Sequence, residues 1–143
     1  MIVALSVLLG AVCAAEPQTE QTDRVFESIG YGEIYVVTVS EKDVQGTPEW
    51  REDQANPPWS ARKAMKSATD KAAKMASPSR HGWRLTSMSL ETVGGRWFWL
   101  ATFRTPETET TRPLELKLVV LMDGTVVEPE IKQPPPPRND PSA

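Results

Sequence analysis

The chain is poor in the side chains that carry most covalent and metal chemistry. It has one cysteine, Cys13, and one histidine, His81, in 143 residues. A single cysteine excludes an internal disulfide and every multi-cysteine metal site. A single imidazole excludes paired-histidine metal motifs. No Gly-X-Ser-X-Gly nucleophile turn is present. Charge is absent from Met1–Ala15, a run of apolar and small residues that closes on Val12-Cys13-Ala14-Ala15. The run is shorter than the ~20 apolar residues a membrane span needs. It therefore reads as a secretory signal peptide over 1–15, although no Lys or Arg precedes its apolar centre. Cleavage would remove Cys13, leaving no integral membrane span and no thiol chemistry. The expected location is periplasmic or secreted. The alternative is a lipoprotein anchored at Cys13, with Val12 and Gly10 where other residues are usual in such signals.

The other end is also set apart. Ile131–Ala143 holds five of the thirteen prolines, four of them consecutive at Pro134–Pro137. Such a run favours extended polyproline II and reads as a disordered tail. Between signal and tail lie Glu16–Glu130, 115 residues, enough for one core and too few for two.

The net charge of −3 is unevenly spread. Residues 16–58 carry a net −7, residues 59–84 a net +6, and residues 85–143 a net −2. The basic middle segment contains the one pronounced amphipathic pattern. Ala61, Ala64, Met65, Ala68, Ala72, Met75 and Ala76 recur at helical spacing and predict a helix over 60–76. Ser60 can cap it and Pro78 stops it. Arg62, Lys63, Lys66, Lys71 and Lys74 fall largely outside the apolar stripe. They read either as a solvated face or as a patch for an anionic envelope surface. An acidic, exported chain argues against nucleic acid.

Residues 16–32 are polar and predict a loose N-terminal arm or short helix. Glu33–Val39 is β-branched and aromatic, a strand. Residues 40–58 form a long connection, in which Trp50 is expected to anchor the loop to the core. After the helix, strands are expected at 83–90, 96–104, 114–122 and 125–128, joined by a Gly94-Gly95 turn, a Thr-rich loop and an Asp123-Gly124 hairpin turn. The order β-α-β-β-β-β predicts an α+β domain over 33–130, with one helix on a four- to five-stranded antiparallel meander. The best-patterned part is 60–129.

Strand 96–104 reads Arg-Trp-Phe-Trp-Leu-Ala-Thr-Phe-Arg. Trp97 and Trp99 face one way, Phe98 and Leu100 the other, so both faces are bulky. One set enters the core under the helix. The other is either covered by the N-terminal segment or the Trp50 loop, or open as an aromatic anchor for a protein or peptide.

The Ala-repeat helix (Ala61, Ala64, Ala68), the hairpin with its aromatic second strand (Trp97, Phe98, Trp99) and the turn Asp123-Gly124-Thr125-Val126 together resemble small exported PepSY-like domains. The resemblance spans Ser60–Pro129. It implies a helix on an antiparallel sheet outside the cytoplasm, with a binding or inhibitory role. Cystatin-like folds share the broad architecture, but the Gln-X-Val-X-Gly turn of cystatins is absent. No catalytic, cofactor or metal residue is assigned. His81 reads as an exposed loop histidine. Glu49, Glu52 and Asp53 lack the spacing of a calcium loop, and Val93-Gly94-Gly95 lacks the helix start of a phosphate cradle. The expectation is a non-enzymatic exported domain without cofactor. It binds a protein or peptide, or alternatively an anionic envelope surface through the basic helix.

Overall fold

The computed structural model describes residues 23–75, 82–106 and 113–135. The signal, Pro78, His81, Glu107, Glu109 and most of the tail lie outside the described residues. The elements run β1 (Arg24–Gly30), β2 (Glu33–Val39), α1 (Glu41–Gln45), α2 (Ala61–Met75), β3 (Arg84–Val93), β4 (Arg96–Arg104), β5 (Glu115–Val120) and β6 (Glu130–Lys132). They form two antiparallel three-stranded sheets, β3-β4-β5 and β1-β2-β6. The class is α+β, but the single four- to five-stranded meander expected from the sequence is divided in two.

The physical reason lies in β4 and β5. Phe98, Phe103, Leu116, Leu118, Val119 and Val120 are all fully buried. Such strands need a layer on each face, because one helix can cover only one. On the first face, Trp99, Ala101, Phe103, Leu116, Leu118 and Val120 meet Ala64, Ala68 and Ala72 of α2. On the second, Phe98, Leu100 and Val119 meet Val37 and Val39 of β2, Val44 of α1 and Phe26 of β1. The β3-β4-β5 sheet is thus central, between α2 and the β1-β2-β6 sheet. Burying each such aliphatic or phenyl side chain contributes about 1.5–3 kcal/mol. The alanine stripe of α2 adds little area itself but lets the helix approach closely.

The expected N-terminal arm supplies that second layer. Arg24–Gly30 pairs with β2 along its whole length. A two-residue turn, Tyr31-Gly32, joins the strands, and both residues have positive φ (55° and 80°). Left-handed backbone is unusual for tyrosine. Its ring is held edge-on against Trp83 at 5.5 Å. Along β1, Ser28 accepts a hydrogen bond from the Lys117 N–H of β5 at 3.2 Å. Phe26 stacks edge-on with Phe98 of β4 at 6.0 Å, and Arg24 pairs with Glu91 of β3 at 2.9 Å. The hairpin therefore reaches all three strands of the central sheet.

Two further boundaries differ from expectation. The return strand at 125–128 shrinks to one bridge, Val120–Val126, with the Val127 N–H donating to the Val119 carbonyl. Pro129 has no N–H to extend it, and the chain leaves to pair with β2 as β6. The tail boundary at Ile131 accordingly runs through a strand. Inside the long connection, α1 is fixed by a capping box. The Asp43 N–H donates to Ser40 Oγ, and the Asp43 carboxylate accepts from the Ser40 N–H and hydroxyl. Gly94 and Gly95 form the two-residue β3-β4 turn, both at positive φ.

Candidate binding surfaces

Trp99 and Trp97 lie on the helix side of β4. Trp99 is 8% exposed, and its indole N–H donates to the Trp59 carbonyl at 2.8 Å. That bond ties the centre of the sheet to the residue before the cap of α2. Trp97 is half-buried, with Trp50 edge-on at 5.4 Å. Trp50 in turn donates to the Gln54 carbonyl at 3.1 Å, which closes the loop onto it. The opposite set, Phe98 and Leu100, is buried under β2 and α1. Both faces of the aromatic strand are therefore occupied within the chain. Only the outer part of Trp97 reaches solvent.

The basic helix face is partly neutralised. Lys66 pairs with Asp70 one turn on, at 2.7 Å. Lys71 is half-buried and pairs with Glu128 beyond the central sheet. Lys63 sits 5.0 Å from the Trp59 ring centre. Arg62 and Lys74 are exposed and make no ion pair among the described residues. The stripe is less regular than its spacing suggests, since Met65 is 42% exposed. Met65 lies at the border of the stripe, facing β3 and not the β4-β5 core.

There the structure shows a surface that sequence reasoning missed. Strand β3 is the terminal strand of the central sheet. At the other edge, β5 is closed by Ser28 and by the Val126–Val127 segment. β3 pairs only with β4 among the described residues. Between β3 and α2 opens a groove of about 310 Å³, lined by Met65, Leu85, Thr86, Ser87 and Met88. Leu85, Met88 and Leu90 stand opposite Phe103, Ala101 and Trp99, on the helix side, and are only half-covered. Met65 is the α2 side chain that lines the groove beside this strand, and Leu85, Met88 and Leu90 stay half-covered at the margin of the helix-side cluster.

The carboxylates are dispersed. Glu49 lies 3.8 Å from Arg96, and Asp53 pairs with Arg51 at 3.3 Å. No three His, Cys, Asp or Glu side chains come together as a metal-holding group among the described residues. Burial pushes the Glu115 carboxyl up, but hydrogen bonds from Lys117 and Arg104 outweigh it and hold it below the usual carboxylate range. The Ser40 hydroxyl and N–H likewise lower Asp43. Both shifts belong to structural contacts. No helix among the described residues is long and apolar enough to cross a membrane.

No protein-family model, curated protein or solved structure matches this chain. The reading of its function therefore rests on its own surfaces.

Proposed function

We propose that this protein is an exported, non-enzymatic domain that binds a protein or peptide partner, taking an extended segment of it along β3. The observation that carries this reading is the state of that edge. Proteins guard open edges with lysine, proline, bulges or very short strands. β3 is ten residues long and contains no lysine and no proline. Its one irregularity is confined to Leu85–Ser87, leaving Ser87–Val93 in unbroken register. Its Glu91 is taken up in a partly exposed ion pair with Arg24 of β1. Backbone groups on an open edge supply affinity, and the groove beside them supplies selectivity. The PepSY-like resemblance of 60–129, with its binding or inhibitory implication, agrees with this role.

The test is to guard the edge. Ser87→Lys with Ser89→Lys places two lysines on exposed positions of β3 and should leave stability within about 0.5 kcal/mol. Partner capture from an envelope fraction should be lost in this variant and kept in Trp97→Phe. Capture that survives the lysines and fails in Trp97→Phe would move the site to the aromatic strand.

A second reading has its own observation. Arg62, Lys63 and Lys74 project from one helix without a carboxylate partner among the described residues. That arrangement suits an anionic envelope surface. Co-sedimentation with anionic vesicles, lost on raising salt, is the expected result for it.

A further inference from the structure

We propose that the partner on β3 is a second copy of this chain. The proposal rests on the reading of β3 as a binding edge and names the strand that occupies it. Two β3 strands pair antiparallel about a dyad at Ser89, joining two central sheets into one.

Register supplies the first argument. Ser87, Ser89 and Glu91 stand opposite Thr102, Leu100 and Phe98, while Met88 and Leu90 stand opposite Ala101 and Trp99. Met88 and Leu90 therefore share the helix side, and Ser87, Ser89 and Glu91 share the other. A two-fold interface needs a surface that complements itself. Centred on Ser89, Met88 of each copy meets Leu90 of the other, Ser87 meets Glu91, and Ser89 meets its own copy. Apolar faces apolar, polar faces polar, and no like charges are opposed. A dyad at Met88 leaves only Ser87–Ser89 clear of the bulge, and a dyad at Leu90 sets Met88 against Thr92. On the helix side the two grooves join, with the exposed Met65 and Met88 of both copies along them. Methionine adapts to such a contact.

Charge supplies the second argument. The same register puts Arg84, opposite Arg104, on the face of Ser87 and Glu91, away from the groove. Glu115 takes up Arg104 at 3.1 Å, while Arg84 is exposed with no ion pair among the described residues. Along the ladder Arg84 is the next residue beyond Ser87 on that face. In the pair it becomes the diagonal neighbour of the other copy's Glu91, with Cα atoms about 8 Å apart, within reach of arginine. Glu91 Oε2 is held by Arg24 at 2.9 Å, whereas Oε1 has only a 3.4 Å contact from the Ser89 hydroxyl. The dyad makes the Arg84–Glu91 pair twice.

Both α2 helices, each in a segment of net charge +6, fall on one face of the joined sheet. Their buried stripe, Ala64, Ala68 and Ala72, meets side chains of β4 and β5. Those strands lie about 7 and 12 Å from the dyad, which sets the helices roughly 14–24 Å apart. That exceeds the Debye length of about 8 Å, so salt screens them from each other. Because β5 is already closed by Ser28 and Val126, pairing through β3 stops at two copies.

The test is sedimentation velocity of the exported chain from about 1 μM to about 1 mM. The expected result is a reversible monomer–dimer equilibrium. Ser89→Lys and Ser89→Glu each set like charges face to face at the dyad and should each stay monomeric. Mixed in equal amounts they should recover a dimer, because lysine then faces glutamate; the recovery also shows that both variants fold. Arg84→Gln removes both ion pairs and should weaken dimerisation about two- to thirtyfold. An unchanged constant in Arg84→Gln overturns the charge argument for this occupant. A dimer that survives both Ser89 variants, or variants that stay monomeric when mixed, overturns the pairing about Ser89. A parent chain that stays monomeric while Ser87→Lys/Ser89→Lys still abolishes partner capture overturns the second copy and leaves the edge reading intact. A monomeric chain whose capture ignores the lysine pair overturns both.

Discussion

The close approach of α2 to the central sheet can be tested by adding volume at Ala68. Ala64 and Ala68 have no exposed surface, and Ala72 has 1%. They face Phe103, Leu116 and Leu118. Replacing Ala68 with leucine puts three more heavy atoms where none fits without displacing the helix. Inserting methylenes into a packed core costs about 1–3 kcal/mol. For a domain of this size each kilocalorie moves the melting temperature by about 4–8 °C. The expected fall is therefore roughly 4–24 °C, read by circular dichroism on heating and by the urea midpoint. Ala73→Leu is the control: Ala73 is exposed on the same helix, and leucine propensity is close to that of alanine. It should change stability by less than about 0.5 kcal/mol. If Ala68→Leu melts with Ala73→Leu, the helix is not held at alanine distance from the central sheet.

Trp99→Phe should cost more than Trp59→Phe in urea unfolding. The Trp99 N–H is paired with the Trp59 carbonyl, whereas the Trp59 N–H is buried without an acceptor among the described residues. An orphaned buried carbonyl costs about 1–3 kcal/mol, so equal losses would refute the pairing. Gly124→Ala should destabilise the β5 turn. Its φ is +90°, and an added β-carbon would stand 2.5 Å from the Trp59 ring; an unchanged melting temperature would contradict that contact. Asp43→Asn tests the cap of α1. The folded carboxyl titrates below its ordinary 3.8, so its contribution is present above that pH and lost as pH falls through the folded value. The stability gap between Asp43→Asn and the parent chain should therefore close on acidification. A gap constant from neutral pH to below 3.8 would show that the charge is not what the cap uses.

Much of the core was legible because its patterns are local. The alanine spacing placed the start of α2 to within a residue. The alternation Leu114, Leu116, Leu118, Val120, Met122 marks one face of the strand; Leu116, Leu118, Val120 and Met122 are buried in the helix-side cluster, while Leu114, before β5 begins, is half-buried and outside it. The glycine pair marked the β3-β4 turn. The second layer was not legible, since β1 has no pattern of its own. Val25 and Ile29 are exposed, while Ser28 and Gly30 are buried, which inverts the polarity an amphipathic strand displays. β1 is a strand because β2 pairs with it and Ser28 reaches β5. β6 was hidden between Pro129 and Pro134 for a related reason: three residues carry too little signal, and their partner is nearly a hundred residues earlier. Among the candidate residues, the alternation of Trp97 and Trp99 with Phe98 and Leu100 was readable, but not which neighbours cover each set. The edge position of β3 is invisible to any pattern along the chain, because it is defined by the absence of a second neighbouring strand among the described residues.

β4 has a consequence for how the molecule opens. It pairs with β3 and β5, and its side chains enter both hydrophobic clusters. Detaching either layer wets one face of this strand but leaves its backbone paired on both edges, so its amides open only when the central sheet itself comes apart. Amide protons of Phe98–Phe103 should thus exchange with solvent only through that opening, at one common rate limit. Those of β6, whose three residues are all exposed, should exchange through fraying. The central sheet then behaves as one cooperative unit, with its single pivot in nine residues.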